Sequence, residues 1–174
     1  MNEVATFALT THSAEQTRLL GAALARAVLH APIGQPVIVA LNGELGAGKT
    51  TFVAGFLHAL GVTGSVRSPT YTLVEPYELG ERTVFHLDLY RLANPADLEA
   101  LALRDLLSPG AVLLVEWAER GKRALPTPDL VVTLAYKEPS RDSDRTVDVG
   151  AWTPIGKGLA ASLQGSADEE LVSS

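Results

Sequence analysis

The stretch Leu41–Phe52, LNGELGAGKTTF, decides the fold of this chain. Gly43 is followed, after four residues, by Gly48, Lys49 and Thr50, which satisfies the pattern G-x-x-x-x-G-K-[ST]. Glycines at these positions let backbone N–H groups approach an anion that a Cβ would keep away. Lys49 is expected to contact the β- and γ-phosphates of a nucleotide, and the Thr50 hydroxyl to ligate Mg²⁺. The stretch therefore predicts a nucleotide-phosphate loop.

The segments on both sides of the loop agree with this prediction. Val37–Leu41 is an unbroken apolar run, typical of a strand buried on both faces. Thr51–Leu60 has the pattern of a helix that stops at Gly61 and directs its positive N-terminal end to a phosphate. A plain glycine-rich turn is the simpler alternative, but four fixed positions match by chance in only about one chain in a hundred of this length. We therefore favour the phosphate loop.

Composition and charge limit the class of protein. The chain has 174 residues, enough for one domain with its own core. Its formal net charge of −6 does not favour binding to nucleic acid. The absence of cysteine excludes disulfides, thiolate zinc sites and cysteine nucleophiles. Because neither a signal peptide nor an apolar run of about 18 residues is evident, we expect a cytoplasmic protein with no membrane span.

The order of the predicted elements indicates an α/β fold. These elements are, in chain order, an edge strand at 4–10, a helix capped by Ser13 and Gln16, the strand and helix around the phosphate loop, a hairpin of Tyr71–Tyr77 and Thr83–Leu89, a helix starting at Asn94 and Pro95, a strand at 111–117, and late strands at Leu130–Tyr136 and Thr146–Trp152. They predict a P-loop NTPase-like sandwich with a mostly parallel central sheet and an antiparallel hairpin at its edge. We expect a single domain over residues 1–164 and a disordered acidic tail over 165–174.

Two acidic residues come at the carboxyl ends of predicted strands, where a sheet of this kind places its site residues. Glu116 follows the apolar run at 111–115, which is the form of a Walker B element that positions Mg²⁺ or the attacking water. Asp88 shares one strand face with His86 and Tyr90. On this pattern Asp88 orients a water or holds a Mg²⁺-bound water, and His86 fixes it by a hydrogen bond. A solvated strand face and a solvated first loop residue are the alternatives for the two acids.

The segment Arg67–Thr72, RSPTYT, follows the helix of the phosphate loop, where switch segments of P-loop proteins lie. The hydroxyl of Thr70 is a candidate sensor of the γ-phosphate, and Pro69 would stiffen its approach. An ordinary surface loop remains the alternative.

Four stretches, in this order, resemble the TsaE family, also called YjeE: LNGELGAGKTTF, SPTYTLV, FHLDLYRL and LLVEWAERG. The resemblance runs from about Ser13 to Val149. Members of the family are small bacterial P-loop ATPases required to make threonylcarbamoyladenosine in tRNA. The chain departs from the family in the turn EPSRDSD and in the tail after Gln164, which concerns partner contacts more than the nucleotide site.

The resemblance implies ATP and Mg²⁺ as cofactors, with roles at the matching positions. The residues that would wrap the phosphates are Glu44, Leu45, Gly46, Ala47, Gly48, Lys49, Thr50 and Thr51, with Thr70 in the switch-like segment. Thr50 and Glu116 would hold Mg²⁺, and Asp88 would be the essential acid near the γ-phosphate. Asp88, Glu116 and Lys49 are thus the candidate catalytic residues, and Trp117 would lie beside them.

The resemblance also implies a weak Mg²⁺-dependent ATPase that associates with the TsaB–TsaD heterodimer and resets it between rounds of tRNA modification. An acidic chain agrees with this, since we expect no strong direct binding of tRNA. A small-molecule kinase with Asp88 as its base is the alternative, although only Arg141 and Arg145 offer an arginine lid. A nucleotide-dependent binding switch is a third possibility, but no N-K-x-D stretch is present to hold guanine. Thr17 is the single candidate for an adenine contact.

Overall fold

The computed structural model describes residues 5–94, 97, 102–121, 124–137 and 143–170. Its helices and strands are β1 (Ala5–Thr11), α1 (Ala14–Leu29), β2 (Val37–Asn42), α2 (Lys49–Ala59), β3 (Val74–Leu79), β4 (Arg82–Asp88), α3 (Leu103–Leu106), β5 (Ala111–Glu116), a 3₁₀ turn (Ala118–Gly121), β6 (Leu130–Tyr136), β7 (Arg145–Ala151) and α4 (Pro154–Glu170). The expected helix start at Pro95 and the lid candidate Arg141 lie outside the described residues. Within the described ranges, no helix combines the length and apolar character that crossing a bilayer requires.

All seven strands form one sheet in the order β1-β7-β6-β2-β5-β4-β3. The four central strands β6, β2, β5 and β4 are parallel. β3 pairs antiparallel with β4 at one edge, while β7 and β1 add two antiparallel strands at the other. The structure confirms the P-loop NTPase-like α/β fold with a mostly parallel core and an antiparallel hairpin at its edge.

Both faces of the central strand β2 are buried, as its apolar sequence predicts. Val39 and Leu41 pack with Phe52 and Phe56 of α2 in one cluster. Ile38 and Ala40 lie on the opposite face of the sheet and belong to a second cluster, which includes residues of β5. This double burial fixes the carboxyl end of β2, so the loop that follows starts from a rigid support.

The carboxyl ends of three parallel strands meet at one edge of the sheet. Leu41 of β2 pairs with Glu116 of β5, which in turn pairs with Asp88 of β4. The register therefore brings the two predicted acids side by side, next to the loop that follows β2. β3 begins at Val74 rather than at Tyr71, because the residues before it turn toward Asp88.

The end of the chain differs from the prediction of a disordered tail that starts at residue 165. α4 continues to Glu170, so residues 165–170 are helical. Ala160, Leu163 and Ala167 recur at helical spacing and are buried in the main core cluster. Small and acidic residues dominate this segment, so its composition suggests disorder and does not reveal the narrow apolar stripe. Residues 171–174 lie outside the described part of the chain.

Candidate nucleotide site

The loop between β2 and α2 requires glycine at two positions, because the backbone there has a conformation that residues with a side chain rarely adopt. Gly43 has a φ of 141° and Gly46 a φ of 78°. A Cβ on Gly43 would lie 2.3 Å from the carbonyl oxygen of Leu134, and one on Gly46 would lie 2.6 Å from the Tyr136 hydroxyl. The conformation and the packing thus both depend on the two glycines, as expected for a loop that turns its N–H groups to a phosphate.

The hairpin of β6 and β7 braces the outer side of this loop. The Tyr136 hydroxyl donates to the carbonyl of Leu45 at 3.3 Å, and Arg145 Nε donates to the carbonyl of Ala47 at 3.1 Å. The Arg145 guanidinium also lies 4.1 Å from the centre of the Tyr136 ring. Arg145, one of two arginines that could form a lid in the kinase alternative, is therefore engaged with the backbone of the loop, and Tyr136 is a contact that the sequence analysis missed.

Lys49 is the first residue of α2, its side chain reaches back to the start of the loop, and it is only 4% exposed. Its ammonium donates to the carbonyls of Gly43 at 2.6 Å and Glu44 at 2.9 Å, and lies 3.9 Å from the centre of a Trp117 ring. Burial lowers the pKa of Lys49, while nearby carboxylates, with Glu116 the strongest, partly oppose that shift. A positive charge that has lost much of its hydration is well placed for a polyphosphate.

Thr50 and Glu116 lie together as the motif predicts. The Thr50 hydroxyl donates to the Glu116 carboxylate, at 2.9 Å to Oε1 and 3.1 Å to Oε2. Glu116 is 2% exposed, so the alternative of a solvated loop residue is wrong. A hydroxyl and a carboxylate beside a phosphate loop are hard oxygen donors of the kind Mg²⁺ prefers, so this donor set fits that ion.

His86 contacts Glu116 and not Asp88, the acid with which its sequence pattern had associated it. Its Nε2 lies 2.8 Å from Glu116 Oε1, and its side chain is fully buried. The correction follows from the strand register: His86 pairs with Leu114, so Glu116, two residues further along β5, is its diagonal neighbour on the same face. Asp88 is held by other groups.

Asp88 anchors the switch-like segment through its carboxylate. Oδ2 accepts hydrogen bonds from the hydroxyls of Ser68 and Thr70, the latter at 3.1 Å, and Oδ1 accepts one from the backbone N–H of Tyr90 at 2.9 Å. Asp88 is 3% exposed and His86 is fully buried, so the polar stripe of β4 is not a solvated face. Ser68 is a second partner that the sequence analysis did not single out, although it lies inside the quoted RSPTYT stretch.

These groups line one cleft of about 300 Å³. Its lining residues are Leu45, Gly46, Gly48, Lys49, Thr50, Thr51, Ser68, Thr70, Asp88, Tyr90, Glu116 and Trp117. Two further predicted loop residues do not line the cleft: the backbone carbonyl of the exposed Glu44 accepts from Lys49, and Ala47 is fully buried. A separate cavity of about 290 Å³, lined mainly by aliphatic and proline side chains, opens on the other face of the sheet, and its described lining carries no basic side chain.

The candidate adenine contact Thr17 has its hydroxyl engaged within the protein. That hydroxyl lies 3.0 Å from the hydroxyl of Thr11 and donates to the carbonyl of Ser13 at 3.3 Å. Thr17 is 2% exposed, with its methyl 3.6 Å from where a Cβ on Gly48 would stand. It therefore supports the start of α2 from behind the loop. The predicted helix cap is confirmed, since Ser13 Oγ accepts from the N–H of Gln16 at 3.1 Å.

A glycine loop at the end of a central parallel strand, followed by a lysine and a threonine at a helix start and faced by a buried carboxylate, defines a P-loop nucleotide-binding protein. The family model described as "Threonylcarbamoyl adenosine biosynthesis protein TsaE" matches residues 11–147. The chain belongs to the TsaE family.

Individual relatives agree with this assignment. The tRNA threonylcarbamoyladenosine biosynthesis protein TsaE of Haemophilus influenzae is 42% identical over 127 residues, which cover 73% of this chain and 78% of that protein. The protein of the same name from Bacillus subtilis is 39% identical over 97 residues, covering 56% and 60%. The crystal structure of Bacillus subtilis YdiB superposes with a TM-score of 0.70 at 26% identity, covering 94% of this chain and 97% of that one.

Proposed function

We propose that this chain is a weak Mg²⁺-dependent ATPase that supports the formation of threonylcarbamoyladenosine in tRNA and is not itself the transferase. The arrangement of Lys49, Thr50 and Glu116 carries the proposal, because it combines a poised cation with a pair of hard oxygen ligands beside the phosphate loop. The process in which the ATPase would act is inferred from the relatives, which are named as threonylcarbamoyladenosine biosynthesis proteins.

Each group in the cleft has a definite task in this proposal. The backbone of Glu44–Thr51 binds the phosphates, and Lys49 exchanges its carbonyl partners for the β- and γ-phosphate oxygens. Thr50 and Glu116 would hold Mg²⁺, which when bound supplies neutralisation of phosphate charge. Asp88 lies at the end of the neighbouring strand, where its carboxylate orients the attacking water. Thr70, bonded to Asp88, links that position to the switch-like segment.

The partner in this proposal is the TsaB–TsaD heterodimer, in the cytoplasm. A chain with a formal net charge of −6 is poorly suited to hold tRNA alone, because the negatively charged phosphate backbone binds basic surfaces. ATP hydrolysis by this chain would instead reset a complex that holds the tRNA. A kinase is less well supported, since Arg145, a candidate for the arginine lid of a kinase, is engaged with the carbonyls of the loop.

The test is phosphate release from ATP and Mg²⁺ by the wild type and by Lys49→Ala, each with and without TsaB–TsaD. We expect slow hydrolysis by the wild type, faster hydrolysis with the heterodimer, and neither with the variant. The same reactions are screened for phosphorylated metabolites. A stoichiometric phosphorylated acceptor would replace the ATPase proposal with the kinase, and an absence of hydrolysis under all conditions would leave only a binding switch.

A further inference from the structure

Among the described residues, the buried histidine of β4 has one hydrogen-bond partner. His86 Nε2 lies 2.8 Å from Glu116 Oε1, while Nδ1 is buried and makes no hydrogen bond within the part of the chain that the structure describes. An ionised carboxylate can only accept, so Nε2 carries the hydrogen of this bond. The polar chemistry of His86 is thus directed entirely at Glu116.

The Glu116 carboxylate is held from two sides by groups of different kinds. Thr50 approaches it from the start of α2 and contacts both oxygens, whereas His86 approaches along the sheet and contacts Oε1 alone. Thr50 is also an expected Mg²⁺ ligand, so its hydroxyl must share its orientation between the ion and the carboxylate. His86 has no such second task, and it is the fixed support of the pair.

Packing does not require a histidine at this position. Two neighbours of His86 on the same sheet face, Val84 and Leu114, are fully buried aliphatic residues, and a third, Glu75 of β3, is exposed. An aliphatic side chain would fill the site without leaving Nδ1 unbonded, and an unbonded buried polar atom costs stability. The hydrogen bond to Glu116 is the feature that an aliphatic residue cannot supply.

We propose that His86 is a positioning residue for the Mg²⁺–nucleotide complex. By holding Oε1 of Glu116, it fixes the orientation of the carboxylate that Thr50 contacts through both oxygens. This inference rests on the proposed function, because it assumes that Glu116 serves a bound Mg²⁺. His86 itself touches neither nucleotide nor metal.

The test compares two amides that differ only in reach. In His86→Gln the amide nitrogen can occupy the place of Nε2, whereas in His86→Asn it ends near the place of Nδ1 and falls short of Glu116. His86→Leu removes the donor altogether, and Val84→Ala is a control for a buried change on the same strand face. Affinity for a non-hydrolysable ATP analogue is measured by calorimetry with Mg²⁺ and with EDTA, after thermal unfolding has shown which variants are folded.

We expect the affinity in Mg²⁺ divided by the affinity in EDTA to fall about tenfold or more in His86→Asn and His86→Leu. The same ratio should stay near the wild-type value in His86→Gln and Val84→Ala. Affinity in EDTA should be unchanged throughout, because the loop and Lys49 are untouched. If His86→Leu does not fold, the comparison of Asn with Gln still decides. Equal ratios for those two variants would overturn the inference, whether both are lowered or both normal. A wild type without any Mg²⁺ effect would instead overturn the proposed magnesium site.

Discussion

Replacing Asp88 with asparagine is expected to remove ATP hydrolysis and to leave nucleotide binding intact. The carboxylate accepts hydrogen bonds from Ser68, Thr70 and the N–H of Tyr90, and none of these partners belongs to the phosphate loop at residues 44–51. Loss of its charge therefore leaves the contacts of that loop in place. What changes is the end of β4, which we propose faces the γ-phosphate.

The size of the effect follows from the atoms that change. Asparagine keeps an oxygen for the N–H of Tyr90, but the NH₂ that replaces Oδ2 only donates and cannot accept from the hydroxyls of Ser68 and Thr70. Loss of one preorganised group from a transition state costs about 2.7–4 kcal/mol, or about a hundredfold to a thousandfold in turnover. The loss of folding stability should be smaller, because both hydroxyls are half-buried beside the cleft and can turn to water.

The assay measures ATP affinity and turnover in the presence of TsaB–TsaD for Asp88→Asn and for Glu116→Gln. Glu116→Gln should lose Mg²⁺-dependent affinity, since it removes the charge that faces Thr50. Normal turnover of Asp88→Asn would show that Asp88 only anchors the segment of Ser68 and Thr70. Loss of Mg²⁺-dependent affinity in Asp88→Asn but not in Glu116→Gln would show that the two roles are exchanged.

Three further outcomes are expected of the same site. Lys49→Ala should weaken ATP binding about tenfold to a hundredfold, because a charged hydrogen bond contributes about 1.5–3 kcal/mol, and an unchanged calorimetric affinity would rule out the phosphate loop. Burial lowers the pKa of Lys49 below its usual 10.5 in the free protein, and bound phosphates should raise that pKa again. Nucleotide binding should then take up a proton, so ATP affinity should fall as the pH rises from the pKa of the free protein to the pKa of the complex. An ATP affinity that stays constant through a series of alkaline pH values would contradict this. ATP should bind more tightly than GTP in competition titrations, because the sequence has no N-K-x-D stretch, and equal affinities would favour the binding switch.

The sequence alone predicts the centre of the site because its parts are local. The glycines, Lys49 and Thr50 occur in one short motif, and Glu116 ends an apolar strand, so each can be assigned without knowledge of the pairing. The partner of His86 depends on the register of β4 against β5, which no local pattern contains. The face of His86 was therefore predictable, and its bond to Glu116 was not.

Long-range contacts account for the remaining differences. Tyr136 and Arg145 reach the phosphate loop from 91 and 98 residues away in the chain, through the antiparallel pair that β6 and β7 form. The end of α4 is predicted poorly for another reason. Ala160, Leu163 and Ala167 carry little apolar surface, and only their packing on the core shows that they form a stripe.

The central claim is that ATP hydrolysis by this chain drives repeated rounds of tRNA modification by a partner complex. Its most direct test counts the threonylcarbamoyladenosine formed per TsaB–TsaD heterodimer over time, with the remaining components supplied in excess and with wild-type chain or Asp88→Asn added. We expect many products per heterodimer with the wild type and no more than about one with the variant, since Asp88→Asn is expected to bind ATP without hydrolysing it. Many products per heterodimer with Asp88→Asn, or with a non-hydrolysable ATP analogue in place of ATP, would contradict the claim.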